Sequence, residues 1–276
     1  MVSIIWGTHA LPLYWEVLNH EGNSDLNTQK RLLKPVLNLF KNYPVLVLGD
    51  REFHSPKLAD WLESKGVCFA LRQKKYLHFQ EKLDQKYQVL KELGFKPGMS
   101  KFYHGVLCNK GDSLGPFNVA VYWKRKYRHK GPKEPWYILT NLPTLQQALD
   151  VYCCRWGIEQ LFKDCKTAGY NLEAAKVNET RFLALVLLIA IAYSLATVQG
   201  QLLKKLNLDI YAGRIQEHKD KTPRQSEFSL GLYGQRWKYG MELWADWVLN
   251  LIALKPHKRL YFQRGFYALS LIQQAL

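Results

Sequence analysis

Residues 44–49 read PVLVLG and constrain the fold more than any other segment of the chain. Four successive valine and leucine residues between a proline and a glycine predict a strand that is buried on both faces, as in a parallel sheet. Ser55 and Pro56 then predict a helix start, because serine caps a helix and proline suits its first position. Residues 68–72 predict another short strand. This strand–helix–strand order indicates an α/β core.

The distribution of charge indicates a polyanionic partner. The 276 residues include 39 Lys and Arg against 23 Asp and Glu, a net charge of +16. Residues 70–137 carry 15 basic and 5 acidic side chains, and residues 200–276 carry 12 and 6, whereas the remaining blocks are neutral. Such localised excess is typical of surfaces that bind nucleic acid or an anionic membrane, although a role in solubility alone is an open alternative.

The same pattern divides the chain into four predicted segments. Residues 1–72 form the first part of the core, and residues 138–206 form its second part with a functional helix. Between them, residues 73–137 interleave basic and aromatic side chains and predict a β-rich, basic, DNA-binding insertion. Residues 207–276 predict a helical, basic C-terminal tail.

One apolar segment allows two interpretations. Residues 182–198 contain no charge over 17 positions, which is the lower edge of the roughly 17–25 residues that cross a membrane. We expect instead a helix that is buried on all sides in a soluble core, because the chain offers no second apolar segment to pair with it. The five cysteines lack zinc-ligand spacing, and no signal peptide precedes the first strand, so we expect reduced thiols in a cytoplasmic protein.

The most informative segment is part of a helix predicted over residues 145–168. At about 100° per residue, four functional side chains fall on a stripe about 60° wide, opposite an apolar face. They are Tyr152, Arg155, Glu159 and Lys166. A carboxylate among cations keeps its charge, as a metal ligand must, and the cations suit phosphates. The alternative is a solvated face whose Arg155–Glu159 pair contributes only about 0.2–0.5 kcal/mol.

A second carboxylate, Asp50, directly follows the predicted buried strand. Open α/β sheets gather their active sites at this end of the strands. The competing role for Asp50 is to cap the next helix, but Ser55 is already placed to do so. Glu52, which also follows the strand, is an alternative to Asp50 as the functional carboxylate. Asp50 and Glu159 together could hold Mg²⁺ or Mn²⁺ for phosphodiester chemistry.

These residues carry a resemblance to a known family. The spacing Tyr152-x2-Arg155-x3-Glu159-x6-Lys166 resembles the YREK signature of DDE transposases of the insertion-sequence-four family. The segment VLVLGDREFHS, which contains Asp50, resembles the family's second-Asp motif. LPLYWEVLNHEGNS resembles the hairpin that precedes this motif. The similarity extends from the first strands to the apolar helix.

The resemblance implies a ribonuclease H-like fold whose β-rich insertion is residues 73–137. It implies that Asp50 and Glu159 are two of three carboxylates that hold two Mg²⁺ or Mn²⁺ ions. Tyr152, Arg155 and Lys166 would contact phosphates at the transposon end. The implied reaction is DNA nicking and strand transfer in cut-and-paste transposition, by a dimer that holds both transposon ends.

One departure from the family concerns its first Asp, which lies on the strand before the opening hairpin. The sequence begins in the following strand, and Asp25, in a polar loop, does not match. We therefore expect this polypeptide to be a transposase by descent that lacks catalytic activity. Three alternatives stay open: a non-catalytic DNA-binding remnant, a metal-dependent nuclease of the same fold, and a membrane protein built on residues 182–198.

Overall fold

The computed structural model describes residues 1–18, 22, 24–81, 86–125, 131–167, 175–209 and 225–275. The chain divides into two compact units, Met1–Ala190 and Ile191–Leu276. Part of the predicted tail, residues 210–224, lies outside the described residues.

The elements of the first unit are β1 (Val2–Trp6), β2 (His9–Tyr14), α1 (Leu26–Leu39), β3 (Leu46–Gly49), α2 (Pro56–Glu63), β4 (Cys68–Arg72), β5 (His78–Gln80), β6 (Gln88–Val89), β7 (Ser100–Cys108), β8 (Leu114–Tyr122), β9 (Trp136–Thr140), α3 (Leu145–Cys153) and α4 (Trp156–Thr167). α5 (Glu179–Lys205) begins in the first unit and continues into the second. The second unit also contains α6 (Glu227–Ala253) and α7 (Pro256–Ala275).

A seven-stranded mixed sheet organises the first unit, with strand order β3-β4-β9-β8-β7-β5-β6. β3 runs parallel to β4, with Leu48 opposite Ala70, and the other neighbours pair antiparallel. Helix α2 makes the crossover that two parallel strands require. β1 and β2 form a separate antiparallel hairpin. The predicted α/β class is confirmed as a mixed sheet with helices.

Residues 73–137 are rich in strands, as predicted, because β5 to β8 all lie within them. These strands continue the main sheet: β8 pairs with β9, and β9 pairs with β4, across the predicted boundaries. The ring of Phe69 in β4 meets that of Phe117 in β8 edge to face, with centroids 5.8 Å apart. The segment and the strands around it therefore share one hydrophobic core.

β3 lies at the edge of the sheet, which corrects the prediction of a strand buried on both faces. Leu46, Val47 and Leu48 are half-buried, and Gly49 is buried. β4 covers one side of β3, but among the described residues no strand pairs with its other side. The apolar run therefore predicted the strand correctly without revealing how many neighbours cover it.

The single helix predicted over residues 145–168 is two helices. A turn that contains Arg155 separates α3 from α4. Helical phase is lost at this turn, so the predicted stripe does not include Tyr152. That side chain is 1% exposed, whereas Glu159 is exposed.

The apolar segment is helical as predicted, but the expectation of burial on all sides is wrong. In the second unit, Tyr193 of α5 stacks on Phe228 of α6 with ring centroids 4.8 Å apart. The opposite side of α5 exposes large apolar side chains, including Leu195 at 59%. In the described part of the chain, α5 alone is long and apolar enough to cross a membrane, judged by length and composition. One such helix is a weak indication of a membrane protein.

The shared core predicts that residues 73–137 cannot unfold independently of the rest of the first unit. Phe117→Ala removes a ring that is 1% exposed, and we expect the free energy of unfolding to fall by about 3–5 kcal/mol. Tyr76→Ala, at a side chain that is 59% exposed, should cost less than about 1 kcal/mol. Denaturant unfolding followed by circular dichroism measures both. An early transition confined to a fraction of the signal would contradict the shared core.

Candidate functional site

The predicted site lies at one end of the main sheet, where several strands begin or finish. Asp50 directly follows β3, and Arg72 is the last residue of the parallel neighbour β4. Trp136 begins β9, opposite Tyr122 at the end of β8. The order of parallel and antiparallel pairs therefore brings these four positions to the same end of the sheet.

Asp50 is exposed and caps a short 3-10 helix, Arg51–Phe53. Its Oδ1 accepts a hydrogen bond from the backbone N–H of Glu52 at 2.9 Å. Ser55 begins α2 without a side-chain capping hydrogen bond. The capping role that the sequence argument disfavoured for Asp50 is therefore present, although it concerns the 3-10 turn and not α2.

The side chain of Glu52, the alternative functional carboxylate, is occupied by other hydrogen bonds. Its Oε1 accepts hydrogen bonds from the backbone N–H of Ser24 at 2.8 Å and from the Ser24 hydroxyl at 2.5 Å. Both contacts tie the turn after β3 to the segment that enters α1. Glu52 therefore has a structural role.

Tyr152 is buried beneath the site, not exposed at it. Its ring packs edge to face on Trp136 with centroids 5.1 Å apart. The guanidinium of Arg155 lies 5.6 Å from the Tyr152 ring, and that of Arg72 lies 5.9 Å from the Trp136 ring. The two rings thus form an aromatic platform that positions two cations.

The protonation state of Tyr152 follows from this environment. Burial raises the pKa of its phenol, and the nearby positive charges of Arg155 and Arg72 only partly oppose this effect. The phenol therefore stays neutral at physiological pH. It supports the two cations by packing and adds no charge of its own.

Arg155 pairs with one of the two predicted carboxylates. Its Nη2 donates to Oε1 of Glu159 at 2.6 Å. Burial lowers the pKa of Arg155, but the hydrogen bond to Glu159 and the negative charges around it outweigh burial and raise it. Asp50 lines the same cavity as Arg155.

Arg72 was not predicted from the sequence. Burial lowers its pKa, and the neighbouring charge of Arg51 acts in the same direction, while Tyr152 opposes them. Arg51 itself is paired with Glu134, which precedes β9. Among the described residues no carboxylate forms an ion pair with Arg72, so its charge is available for an external anion. Its position at a strand end, like that of Asp50, is the signal that could have identified it.

Lys166 lies on the same helix as Glu159, two turns further along, in the exposed last turn of α4. Seven residues correspond to about 10 Å along a helix axis. Lys166 can therefore extend the line of positive charge away from the sheet edge.

Helix α4 is held in place by direct backbone packing on the β1–β2 hairpin. A Cβ atom on Gly157 would lie 2.9 Å from the carbonyl carbon and oxygen of His9. His9 Nε2 also lies 3.5 Å from Oδ2 of Asp164, two turns further along the same face of α4, and both side chains are buried. The hairpin therefore fixes the position of Glu159 relative to the sheet.

A cavity of about 590 Å³ extends from this site between the hairpin and the main sheet. Asp50 and Arg155 lie in its lining, together with the apolar side chains of α1. The cavity is lined on one side by residues 1–5, in and before β1 of the hairpin. It is lined on the other side by residues 45–48, in and just before the edge strand β3. The cavity is therefore bordered by two strands that are not paired with one another.

The described residues do not fit a complete metal site. They contain no group of three or more His, Cys, Asp or Glu side chains placed to hold an ion. Glu159 is already paired with Arg155, and one oxygen of Asp50 accepts a backbone hydrogen bond. The guanidinium of Arg155 thus acts as the counterion of Glu159.

Comparison with protein families gives one match. A family model described as a transposase DDE domain matches residues 1–195. These residues include both predicted carboxylates and the whole main sheet. A comparison with curated protein sequences gives no match.

The contact at Gly157 predicts an unusual response to alanine. In an unhindered helix, glycine to alanine stabilises by about 1 kcal/mol. At Gly157 the new methyl group would meet the backbone of β2, so we expect Gly157→Ala to lower the free energy of unfolding by about 1–3 kcal/mol. Gly240→Ala, in α6 where no atom lies within 4 Å, should be neutral or stabilising. Equal stabilisation by both substitutions would disprove the close packing of α4 on the hairpin.

Proposed function

Because the chain belongs to the transposase DDE domain family, we propose that it acts on double-stranded DNA in cut-and-paste transposition. The proposed chemistry is hydrolysis of a phosphodiester bond at the transposon end, followed by transfer of that end to target DNA. The YREK spacing favours the insertion-sequence-four branch of such enzymes. Acting on DNA, the protein would work in the cytoplasm.

The arrangement of charge at the sheet edge is the observation that carries this proposal. Arg72 and Arg155 are held over an aromatic platform, Arg155 is paired with Glu159, and Asp50 lines the same cavity as Arg155. Guanidinium groups bind phosphate oxygens through paired hydrogen bonds. A DNA phosphate bound by these cations would lie beside the carboxylates, and Lys166 would contact the backbone further along.

Tyr152 takes a different part in this proposal from the one its sequence position indicated. Its buried phenol positions Arg72 and Arg155 and does not reach out to the DNA itself. The geometry of the two cations, set by the rings of Tyr152 and Trp136, would then determine where the phosphate binds.

The cavity supports the finer proposal of a ribonuclease H-like fold. Among the described strands, β3 has an unpaired edge, and β1 has β2 on one side only. One extended segment between β1 and β3 could pair with both and convert the hairpin and the main sheet into one continuous sheet. Its end would lie near Asp50 and Arg155, where a carboxylate would complete a group of three.

We therefore propose catalysis by divalent ions only for a site in which a third carboxylate joins Asp50 and Glu159. Asp50 and Glu159 would contribute two ligands, and Mg²⁺ or Mn²⁺ would supply stabilisation of the developing charge. Among the described residues, Arg155 neutralises Glu159 instead. We propose that this polypeptide by itself binds DNA without cutting it.

A non-catalytic DNA-binding protein is the second candidate function, and the Arg155–Glu159 ion pair favours it. A nuclease without strand transfer would share the whole site and differ only in its product. Supplying a DNA end with a free 3′-hydroxyl distinguishes the nuclease from the transposase, because only a transposase joins that end to a second duplex.

DNA binding should depend on Arg72. We expect Arg72→Ala to weaken binding to a DNA duplex about tenfold and to reduce the slope of log affinity against log salt by about 1. Arg72→Lys should keep the salt slope, since the charge remains. Arg31→Ala is the matched control, because Arg31 already pairs with Glu16 at 2.8 Å. Fluorescence anisotropy at several salt concentrations measures all four proteins, and identical slopes would argue against a phosphate site at Arg72.

The incomplete metal site predicts no cleavage by the 276-residue polypeptide. Incubated with Mg²⁺ and supercoiled plasmid, the purified protein should nick no faster than its Glu159→Gln variant. Agarose gel electrophoresis measures the fraction of nicked circles over time. Mg²⁺-dependent nicking by the unsubstituted chain that Glu159→Gln removes would show that the two carboxylates suffice.

A further inference from the structure

Two cysteines lie side by side at the turn between α3 and α4. Cys153 is the last residue of α3, and Cys154 caps its end. Both side chains are exposed. The other three cysteines of the sequence, at positions 68, 108 and 165, have no cysteine next to them. The pair is not part of the proposed DNA site, although it directly precedes Arg155.

Adjacent thiols can bind a thiophilic metal ion or react with one another. The described residues contain no group of three or more His, Cys, Asp or Glu side chains placed to hold an ion, so the two thiols have no further ligands there. The Sγ atom of Cys154 donates to the carbonyl oxygen of Asp150 at 3.5 Å, which holds this thiol beside the end of α3. Reaction of the two sulfurs with one another is then the chemistry that the pair offers.

The turn that contains the pair also sets the position of Arg155. The backbone N–H groups of Cys154, Arg155 and Gly157 each donate to the carbonyl oxygen three residues earlier, at 3.1 Å. Cys154 takes part in two of these hydrogen bonds, once as donor and once as acceptor. The side chain of Arg155 is only 15% exposed, and its contacts with Tyr152 and Glu159 depend on where this turn places it.

A disulfide between the two residues is incompatible with this turn. Cys154 has helical backbone angles, φ −62° and ψ −19°. Side chains of consecutive helical residues project about 100° apart, so the two Cβ atoms point in different directions. Adjacent Cα atoms are also only about 3.8 Å apart, below the roughly 4.4–6.8 Å that disulfides usually span. Closing the bond therefore requires Cys153 or Cys154 to leave the helical conformation, and the hydrogen bonds of the turn change with it.

We propose that Cys153 and Cys154 form a redox switch, in which a peroxide closes a reversible disulfide that displaces Arg155. One thiolate attacks a peroxide oxygen, which gives a sulfenic acid and releases hydroxide. The second thiol then attacks the sulfenic sulfur, the S–S bond forms, and water leaves. Two thiols are oxidised while one peroxide is reduced to water. A thiol reductant reopens the bond readily, because a disulfide between adjacent residues lies outside the usual geometry.

The surroundings of Cys153 keep the resting pair reduced. Burial raises the pKa of the Cys153 thiol, Cys154 and Asp150 raise it further, and Lys124 opposes them. Because the thiolate is the nucleophile, this thiol reacts slowly at neutral pH and faster as the pH rises. We therefore expect the pair to stay reduced in a buffer with reduced glutathione and to close when peroxide is added at mildly alkaline pH.

The consequence for DNA rests on the proposed phosphate site at Arg155. When the turn changes, the guanidinium moves away from the ring of Tyr152. A DNA phosphate then loses one of the two cations at the aromatic platform, while Arg72 stays in place at the end of β4. Oxidation should therefore weaken DNA binding without abolishing it.

Peroxide treatment of the full chain tests the switch without DNA. Peptide mass spectrometry should find Cys153 bonded to Cys154 within one chain, with the mass of two hydrogen atoms lost. Hydrogen exchange at the backbone amides of residues 155–158 should become about tenfold faster, because their hydrogen bonds in the turn are lost, and dithiothreitol should reverse both changes. Cys153→Ser cannot close the bond, so the same treatment should leave its exchange unchanged. Cys68→Ser, at another exposed cysteine, should respond like the unsubstituted chain.

DNA binding is the second measurement. Fluorescence anisotropy should show that the oxidised chain binds a duplex about tenfold more weakly than the reduced chain. Peroxide should not change the affinity of Cys153→Ser, which controls for oxidation of methionine, and circular dichroism checks that this variant is folded.

Several outcomes would overturn the switch. They are a disulfide from either cysteine to a second chain or to Cys68, a sulfinic acid in place of the disulfide, and a closed disulfide with unchanged hydrogen exchange. Equal DNA affinity of the reduced and oxidised chains would likewise contradict it. If the disulfide forms and exchange becomes faster but neither form binds DNA, the proposed function fails and the switch in the turn stands.

Discussion

The guanidinium of Arg155 is the charge on which the arrangement of the site depends. It is held against the ring of Tyr152 and donates to Glu159, so it links a buried platform to one of the two predicted carboxylates. Burial disfavours the charge of Arg155, and the pair with Glu159 outweighs that effect. The second predicted carboxylate, Asp50, lines the same cavity as Arg155.

The position of Arg155 in turn depends on packing that no local pattern reveals. Angular spacing along one helix placed Tyr152 beside Arg155 and Glu159, and no proline announces the turn that separates α3 from α4. Just after this turn, Gly157 allows α4 to lie directly on the backbone of β2. The pair Arg155–Glu159 was predictable because it depends only on residues four apart. The burial of Tyr152 was not, because it depends on Trp136, which is distant in sequence.

The same distinction applies to the fold. The strand over residues 46–49, the helix after it and the β-rich segment were predictable from apolar runs, caps and alternation. That β8 and β9 would join residues 73–137 to β4 in one sheet was not, because pairing between distant strands leaves no local signal. The burial of β3 was overestimated for the same reason. An apolar run indicates that the side chains of a strand become buried, and the cavity beside β3 shows where this burial is incomplete.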